Sequence, residues 1–164
     1  MAFELPLREG KPRKRGLTTM IDFGPDEMGW TGGGGGIESL LECAANYIDH
    51  AKIYAMNALL LPEEAVKKAA KLYRDYDCHP FAGGMLFEYA YAKNELDGLE
   101  ALLKREELMG FEVSENYIIL EDDERKALIE RFLEPFDQRL PLVIFEYDVA
   151  VSYTHLTLPT ILLV

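Results

Sequence analysis

Cysteine is scarce in this chain: of 164 residues only Cys43 and Cys78 carry thiols. Two thiols cannot build a disulfide framework, so both read as reduced core residues, Cys43 within a helical pattern and Cys78 at the opening of a strand. Positive charge is also in short supply. Lys and Arg number 17 against 29 Asp and Glu, a formal charge of -12. That balance argues against a nucleic-acid surface and against an anionic membrane surface, although a local cationic pocket can still receive an anionic substrate. The one basic run, Lys11 to Arg15, reads either as a solvated arm or as a patch facing a phosphate or sulfonate. No apolar stretch is long enough to span a bilayer and no cleavable leader opens the chain, so a cytoplasmic location is expected. No G-x-G-x-x-G turn follows the first strand, which weighs against a dinucleotide-binding sheet. The five glycines at 32–36 lack the Lys-Ser/Thr of a phosphate loop and read as a flexible loop, or as a lid or ligand-contacting segment.

The composition that remains, 49% apolar and 28% charged, is that of one globular domain or part of one. Its periodicity alternates. Strands are expected at Leu17–Phe23, Tyr47–Tyr54, Cys78–Ala82, Phe111–Ser114 and Leu142–Tyr147. Helices are expected at Ile37–Ala45, Pro62–Tyr76, Met85–Lys93, Glu95–Glu107 and Glu121–Leu133. Pro62 with Glu63 and Glu64 behind it suits a helix start, because Pro has no N–H to leave unpaired and acids favour the positive end of the helix dipole. The resulting (βα)4β order demands parallel strands joined by crossover helices. A doubly wound open sheet and a (β/α)8 barrel interrupted near its middle both satisfy it.

In either architecture ligands gather at the carboxyl ends of the strands. Asp22, Lys52, Gly83 and Gly84, Ser114 with Glu115 and Asn116, and Glu146 all fall there. Carboxylates at that edge suit Mg2+, which prefers oxygen ligands. A lysine can hold a phosphate or stabilise an enolate. Two glycines at a strand-to-helix turn let the backbone approach a ligand, with the amides of the next helix facing an anion. Glu88, one turn into that helix, reads equally as a ligand or as a structural cap.

Four segments carry a family resemblance: Arg15-Gly-Leu-Thr-Thr-Met-Ile-Asp-Phe-Gly24, Tyr47-Ile-Asp-His-Ala-Lys-Ile53, Gly83-Gly-Met-Leu-Phe-Glu-Tyr-Ala-Tyr91 and Gly110-Phe-Glu-Val-Ser-Glu-Asn116. In these the chain resembles the phosphosulfolactate synthases, and the third segment is the most specific. The resemblance implies an α/β fold of the partial (β/α)8 TIM-barrel type, with residues 1–150 as a truncated barrel domain. It implies a Mg2+-dependent lyase that adds sulfite to phosphoenolpyruvate to give (2R)-phosphosulfolactate, as at the start of coenzyme M biosynthesis or in sulfolactate production. It assigns Lys52 and Glu146 to catalysis and Arg15, Gly83, Gly84 and Ser114 to substrate binding. Glu115 becomes a metal ligand with Asp22 or Glu146 as its partner. Small-molecule substrates, no nucleic acid, no membrane and a homo-oligomer at full length complete the expectation.

The chain departs from the family pattern at three places. Tyr54-Ala-Met-Asn57 replaces a Gly-rich stretch, Ser114-Glu-Asn116 replaces Ser-Asp-Gly, and Glu146-Tyr-Asp-Val-Ala150 lacks the lysine of Glu-x-Gly-x-Lys. Val151-Ser-Tyr-Thr-His-Leu-Thr-Leu-Pro-Thr160 breaks the alternation and resembles the translation of a transposon-end sequencing adapter. Residues 151–164 are therefore expected to be a non-native tail, His155 is left out of every site, and the natural sequence is expected to run on through the rest of a barrel of about 250 residues. The competing accounts are another Mg2+-dependent barrel acting on a phosphorylated or sulfonated three-carbon acid, and a half barrel that binds or self-associates without catalysis.

Overall fold

The computed structural model describes residues 9–29, 36–133 and 142–146. The expected tail, the departures at 147–150 and all but the last of the five glycines lie outside them. The strands are β1 (Thr19–Asp22), β2 (His50–Ile53), β3 (His79–Ala82), β4 (Gly110–Ser114) and β5 (Leu142–Glu146). The helices are α1 (Pro25–Met28), α2 (Ile37–Ala44), α3 (Asn57–Leu60), α4 (Glu63–Asp75), α5 (Gly84–Ala92), α6 (Leu96–Arg105) and α7 (Asp122–Leu133). Each expected element is present. The short α1 and α3 and a 3-10 turn at Ala45–Tyr47 were not anticipated, and they shorten the first two strands.

All five strands are parallel and lie in the order β1-β2-β3-β4-β5. A doubly wound sheet reverses its strand order at a switch point, and among these strands no reversal occurs. The two faces of the sheet also differ. Successive side chains of a strand point to opposite faces. Ala51, Ile53, Ala82, Phe111 and Val113 share one cluster with Ile37 and Leu41 of α2, Val66 and Tyr73 of α4, Phe87 of α5, Leu103 of α6 and Phe132 of α7. Helices thus cover one face. The strand pairing puts His50, Lys52, His79, Phe81, Glu112 and Ser114 on the other. Phe81 is fully buried there yet stands outside the helix-side cluster. Sequential parallel strands with helices on one face only are the wall of a (β/α) barrel, and the second face is its lumen.

The helices pack by simple spacing. α4 buries Val66, Ala69, Ala70 and Tyr73, the i, i+3, i+4, i+7 stripe of an amphipathic helix. Three helices end on a residue in the left-handed region that is not glycine: Asp77 after α4, Asn94 after α5 and Glu107 after α6, with φ of 55°, 57° and 57°. In each case the next amide turns back to a helix carbonyl, Cys78 to Tyr73, Glu95 to Ala90 and Leu108 to Leu103. These satisfy carbonyls that the helix end would leave unpaired. Cys78 is buried as expected, whereas Cys43 is exposed on α2. The buried residues of that helix are Ile37 and Leu41, and Cys43 lies off their stripe.

The amino-terminal edge is pinned by an ion pair. Arg13 Nη2 lies 2.7 Å from Asp49 Oδ2, with both side chains under a tenth exposed. Arg13 Nη1 also donates to the Asn46 carbonyl, and the Thr18 amide donates to Asp49 Oδ2 at 2.7 Å. Burial pushes the Asp49 carboxyl up, but the Arg13 guanidinium and the Thr18 N–H outweigh it and hold the group below its ordinary value. Part of the basic run is therefore neither a free arm nor an anion patch. Lys11 likewise donates to the Asp77 carbonyl at 2.9 Å.

Two outcomes follow for stability. Asp49→Ala leaves Arg13 buried without its carboxylate and is expected to cost about 3–5 kcal/mol, read from the urea midpoint. The second concerns His50 and His79, which sit in register with ring centroids 5.9 Å apart. Burial holds both imidazoles below the ordinary 6.5. For His50 the neighbouring His79 and Lys11 add to this and Asp49 opposes; for His79, Lys11 adds while Asp49 and Asp77 oppose. Below 6.5 the unfolded chain binds protons that the folded chain refuses, so stability declines as pH falls through that value and until the folded rings titrate. The urea midpoint should drop between about pH 7 and pH 5.5 with a slope that His79→Gln reduces.

Candidate active site

The carboxyl edge of the lumen face carries an ionic pair that spans a strand. Lys52 Nζ of β2 lies 2.9 Å from Glu112 Oε1 and 2.7 Å from Oε2, reaching β4 across β3. Both groups are mostly withdrawn from water, at 12% and 4% exposure. The same carboxylate accepts from the Gly84 amide, the first residue of α5, at 2.7 Å from Oε2. The helix start thus faces an anion, as expected, but the anion is the protein's own Glu112.

The paired glycines are required by close packing within the protein. A Cβ at Gly84 would fall 2.5 Å from Ser114 Cβ and closer still to its Oγ. A Cβ at Gly83 would lie 2.7 Å from the Ala55 amide nitrogen. Ser114 is fully buried beneath this turn and donates its hydroxyl proton to Glu88. With that proton committed, the Ser114 oxygen can act toward a ligand only as an acceptor.

The carboxylates expected to hold metal lie on the helix side. Asp22 is fully buried, with Oδ2 accepting from the Tyr73 hydroxyl of α4 at 2.7 Å and Oδ1 from the Gly24 amide at 2.9 Å. Burial first, then the Asp22 charge, pushes the Tyr73 hydroxyl far above its ordinary value, so it remains a donor. Glu115 is bidentate to Arg125 of α7, with contacts of 2.8 and 3.0 Å from Nη2, and also accepts the Leu120 amide at 2.8 Å. Asp22 and Glu115 are therefore occupied with different helices and do not form a joint donor set for Mg2+. Among the described residues no group of three or more His, Cys, Asp and Glu side chains converges on a metal position.

Arg15 does not join the site either. It precedes β1 on the amino-terminal edge, pairs with Glu9 at 3.1 Å and has a side chain 86% exposed. Glu146 shares the register position of Ser114, which places it in line with the lumen-face residues of β4. The structure thus gathers Lys52, Gly83, Gly84 and Ser114, with Glu146 beside them in register, and leaves out Arg15, Asp22 and Glu115. It adds Glu112, which the sequence reading passed over. The available signal was a charged residue in the middle of a short apolar strand, two residues before Ser114 and so on the same face.

The fold and the site define a (β/α)-barrel protein with a buried ionic centre at the carboxyl edge of its lumen. Over residues 6–139 the chain matches the family model described as (2R)-phospho-3-sulfolactate synthase (ComA), and it belongs to that family. The phosphosulfolactate synthase of Methanothermobacter thermautotrophicus is 32% identical over 131 residues, a match covering 78% of this chain and 47% of that protein. That of Methanocaldococcus jannaschii is 27% identical over 164 residues, covering 85% of this chain and 61% of that protein. The chain thus spans between 47% and 61% of the length of these relatives. Among the described residues no helix is long and apolar enough to cross a membrane.

The packing at the glycine turn gives a direct test. Gly84→Ala drives a methyl group into the Ser114 side chain and is expected to destabilise the chain by about 1–3 kcal/mol. A urea midpoint equal to wild type would show that β4 yields to the methyl at no cost.

Proposed function

We propose that the protein serves the addition of sulfite to phosphoenolpyruvate to form (2R)-phosphosulfolactate, a carbon–sulfur lyase reaction run in the synthetic direction. The observation that carries this reading is the buried Lys52–Glu112 pair at the carboxyl edge of the lumen, in a chain of this family. Sulfite adds through sulfur to C3 of the enolpyruvate. Electron density moves to C2 and onto the carboxylate, and the resulting dianionic enolate takes a proton at C2. A low-dielectric site with a fixed ammonium stabilises that charge far better than water does. Lys52 supplies the ammonium. Glu112 holds it in place, anchored in turn by the Gly84 amide. Glu146 is the second catalytic carboxylate in this reading, supported by its register with Ser114.

Magnesium belongs to the same proposal on altered ligands. Asp22 and Glu115 do not fit the ion as a pair. Glu112 and Glu146, on adjacent strands and facing the lumen by register, are the oxygen donors that would hold it. Mg2+ commonly needs only one or two carboxylates beside a substrate phosphate, and when bound it would neutralise charge on the phosphate and carboxylate. Oligomerisation of the full-length protein is part of the proposal as well. It is supported by the exposed apolar side chains around the carboxyl edge, Phe23, Tyr54, Tyr117 and Ile119.

Phosphorus NMR tests the reading. The chain is expected to bind phosphoenolpyruvate, seen as a shifted phosphate resonance, and Lys52→Met should weaken that binding at least about tenfold. Turnover should need sulfite, and the same substitution should lower it about a hundredfold or more. Loss of phosphoenolpyruvate without sulfite would point to a different barrel reaction on a three-carbon acid. Binding untouched by Lys52→Met would remove Lys52 from the site.

A further inference from the structure

Glu88 is a buried anion whose hydrogen-bond partners are all neutral. It sits in the second turn of α5 at 3% exposure. Its Oε1 accepts from the Ser114 hydroxyl, from the Asn116 amide at 3.2 Å and from Asn116 Nδ2 at 3.1 Å. Its Oε2 accepts from the Tyr117 amide at 2.6 Å. Glu112 and Glu115 each face a cation, whereas no lysine or arginine contacts Glu88. A buried charge is costly unless its hydrogen-bonding capacity is filled, and here four donors from one short segment fill it.

Those donors all belong to residues 114–117, where the chain leaves β4. The next link is Glu115, which faces the opposite way onto Arg125 and caps the Leu120 amide. The loop base is thus gripped from two sides, and beyond it Tyr117 and Ile119 stand 80% and 86% exposed. A neutral side chain at position 88 could not accept from two backbone amides, a hydroxyl and an amide group together. The charge matches the task of fixing that backbone, and the segment it fixes directly follows the strand that carries Glu112.

We propose that Glu88 is a positioning residue, setting the conformation of residues 114–117 and through it the affinity of the Lys52–Glu112 site for its anionic ligand. The affinity part rests on the substrate reading above; the conformational part does not. Glu88→Gln keeps the shape of the side chain and replaces one acceptor oxygen with a donor that opposes the amides. Glu124→Gln, altering an exposed carboxylate on α7 that accepts from Tyr91, serves as control.

The experiment combines amide hydrogen exchange with phosphoenolpyruvate titration on the whole chain. In Glu88→Gln the amides of Asn116 and Tyr117 should exchange at least about tenfold faster while the core strands keep their protection. Affinity for phosphoenolpyruvate should fall about tenfold or more, and Glu124→Gln should change neither. Unchanged exchange at both amides overturns the proposal. So does faster exchange with unchanged affinity, since the loop would then be irrelevant to the site. If Glu88→Gln loses protection throughout, Glu88→Asp decides: it restores the charge, and exchange confined to residues 114–117 supports the proposal while global exchange overturns it. A wild-type chain that does not bind phosphoenolpyruvate sinks the substrate reading, and the two amides alone then decide the role of Glu88.

Discussion

A strand residue in this sheet owes its surroundings to parity. Alternate positions face either the helices or the lumen, and no charged group can serve both. The helix-facing set supplies Ala51, Ile53, Ala82, Phe111 and Val113 to the core. The lumen-facing set supplies His50, Lys52, Phe81, Glu112 and Ser114. Everything at the carboxyl edge depends on this division. It turns four neighbouring acids into distinct components: Glu112 holds the lysine, Glu88 holds a loop, Glu115 ties that loop to α7, and Asp22 joins β1 to α4.

The same division explains what could be read from the sequence. Alternation of strand and helix patterns gave the architecture, because apolar periods of two and near four differ enough to survive uncertain boundaries. Strand ends were legible too, so Lys52, Ser114 and the glycine turn were found. Faces were not. A one-residue error in a strand boundary moves every side chain to the other side of the sheet, and Asp22 and Glu115 were chosen for lying at strand ends without regard to side. Glu112 was passed over because a mid-strand acid looks unremarkable until the strand is known to be buried on both faces. Arg15 was drawn in by sequence resemblance, although its place before β1 puts it at the opposite edge.

Non-local partners were the other hidden layer. Arg13 with Asp49 and Tyr73 with Asp22 join positions 36 and 51 residues apart, and no local pattern announces such pairs. Short-range features were more transparent. The acids opening α4 were expected from the helix dipole and are present as Glu63 and Glu64. The left-handed helix ends were not foreseen, because Asp77, Asn94 and Glu107 fill positions where glycine is the usual occupant.

The Lys52–Glu112 contact joins strands that are not neighbours. Flat sheets set second-neighbour strands nearly 10 Å apart, at about 4.8 Å per step, and side chains on a convex surface diverge further. Contact at hydrogen-bond length means that the two side chains close a chord over the arc of β2, β3 and β4, with Phe81 beneath it. Charge and curvature are therefore coupled. A sheet that flattens must separate the ions in a poorly hydrated space, and a ligand that draws the ammonium away from Glu112 loosens the brace that keeps the wall curled.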